Sequence, residues 1–194
     1  MIESGVIHVW RAATSVSAGE SRLAAGRAVL RLILASYVDA DPAALRFDTG
    51  RYGKPRLRGH PGLEFSFSRS AEAVLVGVAA DRPVGVDIER IDFSRPVARL
   101  ARRWLGPAEA AEIAALPLRS QVPAFHRCWT AKEAYAKGSG TGLVAGFDGF
   151  SVTEPGLPSW TIEQLPVPAG YVGAIAAPGP DWRVELRAWE GALA

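Results

Sequence analysis

VGVDIE, residues 84–89, decides how the chain is divided, because it is an acidic strand lying between two similar runs of elements. Val84, Val86 and Ile88 alternate with Gly85, Asp87 and Glu89. In a strand, that period of two turns the aliphatic side chains to one face and both carboxylates to the other. Like charges held so close each raise the other's pKa unless a cation lies between them. A hard divalent ion bound through carboxylate oxygens removes that penalty, and magnesium commonly takes one or two carboxylates with phosphate and water. The alternative is a solvated strand face with two ordinary acids, and Asp-x-Glu alone does not separate the two.

Toward the amino terminus, ESRLAAGRAVLRLILASY (20–37) sets Leu23, Leu30, Leu34 and Tyr37 near one helical face. Arg22, Arg27 and Arg31 lie around the rest, which predicts an amphipathic helix with a basic flank. Turns and short extended pieces follow, punctuated by Pro42, Gly50, Gly53 and Pro55, and then LEFSFS and AVLVGVAA form a strand pair. Toward the carboxyl terminus, Pro96 to Leu116 is helical in pattern but broken at Gly106–Pro107, where the proline suits the first turn of a new helix. Residues 122–138 make the clearest helix, stopping at Gly138. FDGFSVT (147–153), SWTIEQL, YVGAIAA and RVELRAW then read as strands. A long helix followed by several strands thus occurs twice. This predicts an α+β fold of two lobes, residues 1–83 and 84–194, rather than a doubly wound sheet.

With 48% hydrophobic and 22% charged residues over 194 positions, the chain has the balance of a soluble globular protein and can bury a core. No apolar run approaches the ~20 residues of a membrane span. The start carries Glu3 and no basic region before an apolar stretch, so no secretory signal is expected. A single cysteine, Cys128, excludes an internal disulfide framework and suits a reducing cytoplasm. A net charge of +2 is too small to argue for nucleic acid. Of the 22 basic residues only Lys54, Lys132 and Lys137 are lysine. In so arginine-biased a chain the three lysines are either left over by chance or kept where a compact point charge is not equivalent to a guanidinium fork.

Two of those lysines lie in FHRCWTAKEAYAKGSGTGL, residues 125–143. On a helix Trp129, Glu133 and Lys137 fall in one column, with Lys132 and Ala136 beside it. A Glu-Lys pair at this spacing is also a common surface device worth about 0.2–0.5 kcal/mol. The bulky Trp129 argues against a wholly solvated face. Gly138, Gly140 and Gly142 either let backbone approach a ligand closely or cap the helix. His8, His60 and His126 have no ligand spacing. Cys128 reads as a small buried hydrophobe, and Trp10, Trp104, Trp160, Trp182 and Trp189 as core or interface residues.

GVDIE (85–89), followed by WTAKEAYAKGSGTGL (129–143), resembles the signature pair of the 4′-phosphopantetheinyl transferases. GRAVLR (26–31), LRFDTGRYGKP (45–55) and FSFSRS (65–70) fall in the order and spacing of the longer, Sfp-type branch of that family. The likeness covers about Gly26 to Phe150. It implies two pseudo-symmetric lobes, each a long helix on a small, mainly antiparallel sheet, in a monomer with one site between them. By position, Asp87, Glu89 and Glu133 match the metal-binding carboxylates. Lys137 matches the lysine near the transferred phosphate and Lys132 the lysine of the W-x-x-K-E core. Arg27, Lys54 and Pro55 match coenzyme A contacts. Ser68 and Arg69 fall on a Ser-His pair that meets the phosphates. Ser66 and Arg69 stand where the family commonly has Asn and His: Ser66 removes an amide that would orient the loop, while Arg69 can still hold a phosphate bidentately but cannot act as a neutral imidazole. The lysine-rich start of some relatives is also lacking, with Arg22, Arg27 and Arg31 as the candidates to replace it.

The resemblance implies transfer of phosphopantetheine from coenzyme A to a serine of an acyl or peptidyl carrier protein, with Mg2+ as cofactor. Glu133 would take the serine proton, and Lys137 would neutralise the departing 3′,5′-ADP. Lys132 would pair with a phosphate or an acid. Arg95, Arg99, Arg102 and Arg103 are either a docking face for an acidic carrier or a solvated helix surface. Neither nucleic acid nor membrane is an expected partner. A magnesium-dependent hydrolase of the coenzyme A pyrophosphate would use the same carboxylates, whereas a non-catalytic binding module would not need the set.

Overall fold

The computed structural model describes residues 2–14, 21–50, 52–142, 151–152 and 159–191. The strand expected at 147–153 lies largely outside them. The first described element, β1 (Val6–Ala13), has no counterpart in the sequence reading, because VIHVWRAA mixes apolar and polar residues on both faces. It nevertheless lies inside a sheet of order β4-β5-β1-β9. There β4 (Leu63–Ser70) and β5 (Ala73–Ala80) are the expected antiparallel pair, and β9 (Arg183–Ala188) runs parallel to β1. A second sheet, all antiparallel, is ordered β6-β8-β7, from β6 (Gly85–Arg90), β7 (Trp160–Leu165) and β8 (Tyr171–Pro178). β2 (Phe47–Thr49) and β3 (Pro55–Leu57) form a small hairpin. The class is α+β, as expected. A cut at Val84 divides the sheets except for β9, which returns from the second half to the first sheet.

The two sheets pack face to face. Ile7, Val9 and Leu75 of the first meet Val86, Ile88 and Ile175 of the second in one buried cluster. Because β5 alternates, Val74, Val76 and Val78 point the other way, onto α1 (Arg22–Val38). That helix starts where Ser21 Oγ accepts the Ala24 N–H at 3.4 Å and ends at Asp39 in a left-handed conformation. Its buried stripe is Val29, Leu30, Ile33 and Leu34. Leu23, expected on the same face, is instead exposed.

The outer face of the second sheet is covered by α4 (Leu118–Ser139), against which α2 (Val97–Trp104) and α3 (Pro107–Ala115) also pack. Pro107 opens α3 as expected. α4 begins four residues before the expected Val122, with Pro123 inside it. The opening turn is held instead by the Pro117 carbonyl, which accepts from Ser120 and Gln121. The Gln121 amide also donates to the Ala114 and Leu116 carbonyls at the end of α3.

Small residues let α4 lie directly on the sheet: Ala131 and Ala134 meet Ala174 and Ala176. At Gly85 a Cβ would lie 1.9 Å from the Ala134 carbonyl oxygen and 2.3 Å from the Gly138 nitrogen. Gly85→Ala is therefore expected to lower stability by about 3 kcal/mol, read from the urea midpoint. An unchanged midpoint would show that α4 is free to shift off β6.

Candidate active site

β6 is an edge strand, so alternate amides along it have no partner strand. Side chains of β4 supply the acceptors: Ser66, Ser68 and Ser70 hydroxyls take the N–H groups of Val86, Ile88 and Arg90 at 3.0, 3.3 and 3.0 Å. All three serines stand on the β4 face turned toward the second sheet. Ser66, where the family commonly has Asn, is a buried residue of β4, the strand expected from LEFSFS, and it also lines the cavity beside α1. Its hydroxyl is needed for the Val86 amide.

The acidic face of β6 is covered by α4, and its charges are met from there. Lys137 Nζ donates to Asp87 Oδ1 at 2.6 Å and to Ser68 Oγ at 2.9 Å, while Ser68 donates to the same Asp87 oxygen at 2.6 Å. Asp87 is 3% exposed, and its other oxygen, Oδ2, is buried with no hydrogen-bond partner. Glu89 is held above the usual carboxylate range, first by burial and then by the Asp87 charge. Burial, followed by Asp87, pushes Glu133 up to about 7, against the opposing pull of Lys137. Three acids and one ammonium thus share a half-buried site, with negative charge in excess.

This cluster borders a cavity of about 710 Å³ between α1, the β2–β3 hairpin and the end of α4. Arg27, Lys54, Pro55, Glu133 and Lys137 line it, with Leu23, Phe47, Tyr52 and Phe67 as apolar walls. Gly53, at φ +88°, makes the hairpin turn, and Gly140, at φ +70°, caps α4. Of the other expected contacts, Ser68 and Arg69 point to opposite sides of β4. Ser68 is buried against Asp87, whereas Arg69 is exposed beside Gly26 of α1.

Two lysines have ion-pair partners within the chain. Lys132, a candidate coenzyme A contact expected to pair with a phosphate or an acid, takes the acid: it is fully buried on the far side of α4 and forms an ion pair with buried Glu109 at 2.8 Å. Helical spacing explains this, since positions 132 and 133 are about 100° apart around the axis. Lys54 lines the cavity with its chain, but its ammonium pairs with Glu64 at 3.2 Å and donates to the Gly138 carbonyl at 2.9 Å. It therefore ties the hairpin to the negative end of α4. Arg31 is held by the Ala43 and Leu45 carbonyls and lies over the Phe47 ring. Sequence reasoning missed Glu64, Glu109 and Ser70. Only Ser70 left a signal, as the third serine at period two facing the acidic strand.

The remaining candidates have local explanations. His126 is fully buried and accepts the Asp92 N–H, and His8 contacts Tyr37 and Arg187. Trp129 stacks on Phe125 and meets Trp104 edge-on, outside the cavity. Arg95, Arg99, Arg102 and Arg103 are exposed. Cys128 is 8% exposed, and burial pushes its thiol up to about 12. Native protein is expected to give almost no reaction with a thiol reagent at pH 8, and the denatured chain one equivalent; rapid native labelling would contradict the burial. Among the described residues no helix is long and apolar enough to cross a membrane. Among the same residues no group of three His, Cys, Asp or Glu side chains stands ready at metal-ligand spacing.

Residues 83–175, which carry β6, the three following helices and β8, match the family model described as the 4′-phosphopantetheinyl transferase superfamily. Together with the identities to its relatives, this shows that the chain belongs to that superfamily. It is 33% identical over 172 residues to the 4′-phosphopantetheinyl transferase HetI of Nostoc sp., an overlap of 84% of this chain and 73% of HetI. A 4′-phosphopantetheinyl transferase of Bacillus subtilis is 31% identical over 127 residues, 66% of this chain and 55% of that protein. A second one from Bacillus subtilis, ffp, is 28% identical over 173 residues, 83% of this chain and 75% of its own length.

Proposed function

We propose that the protein transfers the 4′-phosphopantetheine group of coenzyme A to a serine of an apo carrier protein, releasing 3′,5′-ADP. The observation that carries this reading is the set Asp87, Glu89, Glu133 and Lys137 at the border of a cavity that also presents Arg27. The family relationship supports it. Residues before and after Val84 both line the cavity, which supports two lobes, 1–83 and 84–194, working as a monomer with the site between them.

The acidic cluster fits a divalent cation. Asp87 Oδ2 is buried without a partner, and burial, followed by the Asp87 charge, raises both Glu89 and Glu133. Asp87, Glu89 and Glu133 would hold Mg2+, which when bound would offset negative charge on the phosphoryl oxygens. The protein's own residues do the rest. Glu133, on the border of the cavity, takes the proton of the serine hydroxyl as its oxygen bonds to phosphorus. The bond from that phosphorus to the 3′,5′-ADP oxygen breaks, and Lys137 stands beside the departing phosphate to neutralise it. Arg27 holds a nucleotide phosphate, and the apolar wall of Leu23, Phe47 and Phe67 excludes water from the exchange.

The test is direct. The protein is incubated with coenzyme A, Mg2+ and an apo carrier domain, and the carrier is weighed. Gain of one phosphopantetheine group is expected. No gain on any of several carriers would overturn the reading, and release of free phosphopantetheine alone would point to the hydrolase.

A further inference from the structure

We infer that Ser70 is a positioning residue, which aims the carboxylate of Glu89 into the metal-binding cluster proposed above and on which this inference rests. The serines of β4 repeat one unit. Ser68 Oγ accepts the Ile88 N–H at 3.3 Å and donates to Asp87 Oδ1 at 2.6 Å. Two residues on, Ser70 Oγ accepts the Arg90 N–H at 3.0 Å and donates to Glu89 Oε2 at 3.0 Å. In each unit the hydroxyl takes an amide of β6 and gives its proton to the carboxylate one residue before that amide. A hydroxyl has one proton and two lone pairs. Once the fixed backbone amide occupies a lone pair, the remaining O–H direction is limited, and the carboxylate is held to it.

Asp87 is held twice, by Ser68 and by Lys137. Glu89 is a longer side chain with more rotamers to lose. Lys137 donates to Asp87 and Ser68, while the hydroxyl partner of Glu89 is Ser70. With Oε2 fixed by Ser70, Oε1 is the oxygen left to face the cluster. Ser66 supplies an internal control, because it accepts the Val86 N–H at 3.0 Å but stands opposite Gly85, which has no carboxylate. Ser66 shares the sheet-joining role of Ser70 without the aiming role.

The two roles separate in a measurement of Mn2+ binding to the full chain without coenzyme A, by electron spin resonance of free Mn2+. Ser70→Ala is expected to raise the Mn2+ dissociation constant about tenfold. S70T, which keeps the hydroxyl, is expected to restore it to within about twofold, and Ser66→Ala to leave it within about twofold, though S66A loses the same kind of amide acceptor. Should S70A not fold, Ser70→Cys, which fills the space with a weak donor, takes its place with the same expectation. Wild-type-like affinity in the Ser70 variant, or equal weakening by S66A, would overturn the inference and leave the metal reading standing. Failure of the wild-type chain to bind Mn2+ would overturn both.

Discussion

Lys137→Ala is expected to lower the turnover of phosphopantetheine transfer by about 10²–10³-fold, while the KM for coenzyme A changes by less than about fivefold. The asymmetry follows from where the ammonium sits. It is anchored by Asp87 at 2.6 Å and Ser68 at 2.9 Å, so it is preorganised at the edge of the cavity before any ligand arrives. A charge fixed in advance acts most strongly where negative charge grows during the reaction, on the departing phosphate, and less on the ground-state complex. Arginine should not rescue it, because its planar fork cannot take the place of a point charge between a serine hydroxyl and a single carboxylate oxygen. Steady-state kinetics against a carrier domain decides the matter. A rise in KM larger than the fall in turnover would reduce Lys137 to a binding residue.

The second large effect concerns stability. Lys132→Ala is expected to cost about 3–5 kcal/mol, a fall in Tm of roughly 6–20 °C for a chain of this size. Both Lys132 and Glu109 are cut off from water, at 0% and 1% side-chain exposure. Glu109 holds more than the lysine: its carboxylate accepts the Gly106 N–H at 2.9 Å and the Val152 N–H at 2.8 Å. Removing Lys132 leaves that carboxylate charged, buried and bound to the start of α3. The variant that remains folded should keep its KM for coenzyme A. A normal Tm with a raised KM would return Lys132 to the ligand-binding residues.

These two lysines show where sequence reading succeeds and where it stops. The acidic strand was legible because alternation of small, acidic and aliphatic residues is a property of the strand itself. The Glu133–Lys137 column was legible because helical spacing needs only one segment. That Lys132 faces inward follows from the same spacing, but its partner Glu109 is on another helix, and nothing in either segment announces the pairing. Lys54 is similar: its place at the cavity was readable from GKP, whereas its bonds to Glu64 and to the end of α4 depend on how distant segments meet. β1 escaped notice because a strand buried on both sides by different partners need not alternate in polarity. The start of α4 was hidden by Pro123, which marks a helix boundary more often than an interior position.

The parallel pairing of β1 with β9, Val6 beside Arg183 and Arg11 beside Ala188, bears on how the protein is made. During synthesis β1 emerges long before β9, its neighbour on that side. Until then one edge of β1 stays open, with apolar Val6, Ile7 and Val9 beside unsatisfied amides, a surface prone to association with other chains. Pairing so distant in sequence also slows the closing step, since the loop entropy is lost before the contacts form. The nascent protein therefore has a long interval in which this sheet is unfinished, and occupancy of that edge by a chaperone during translation would protect it until β9 arrives.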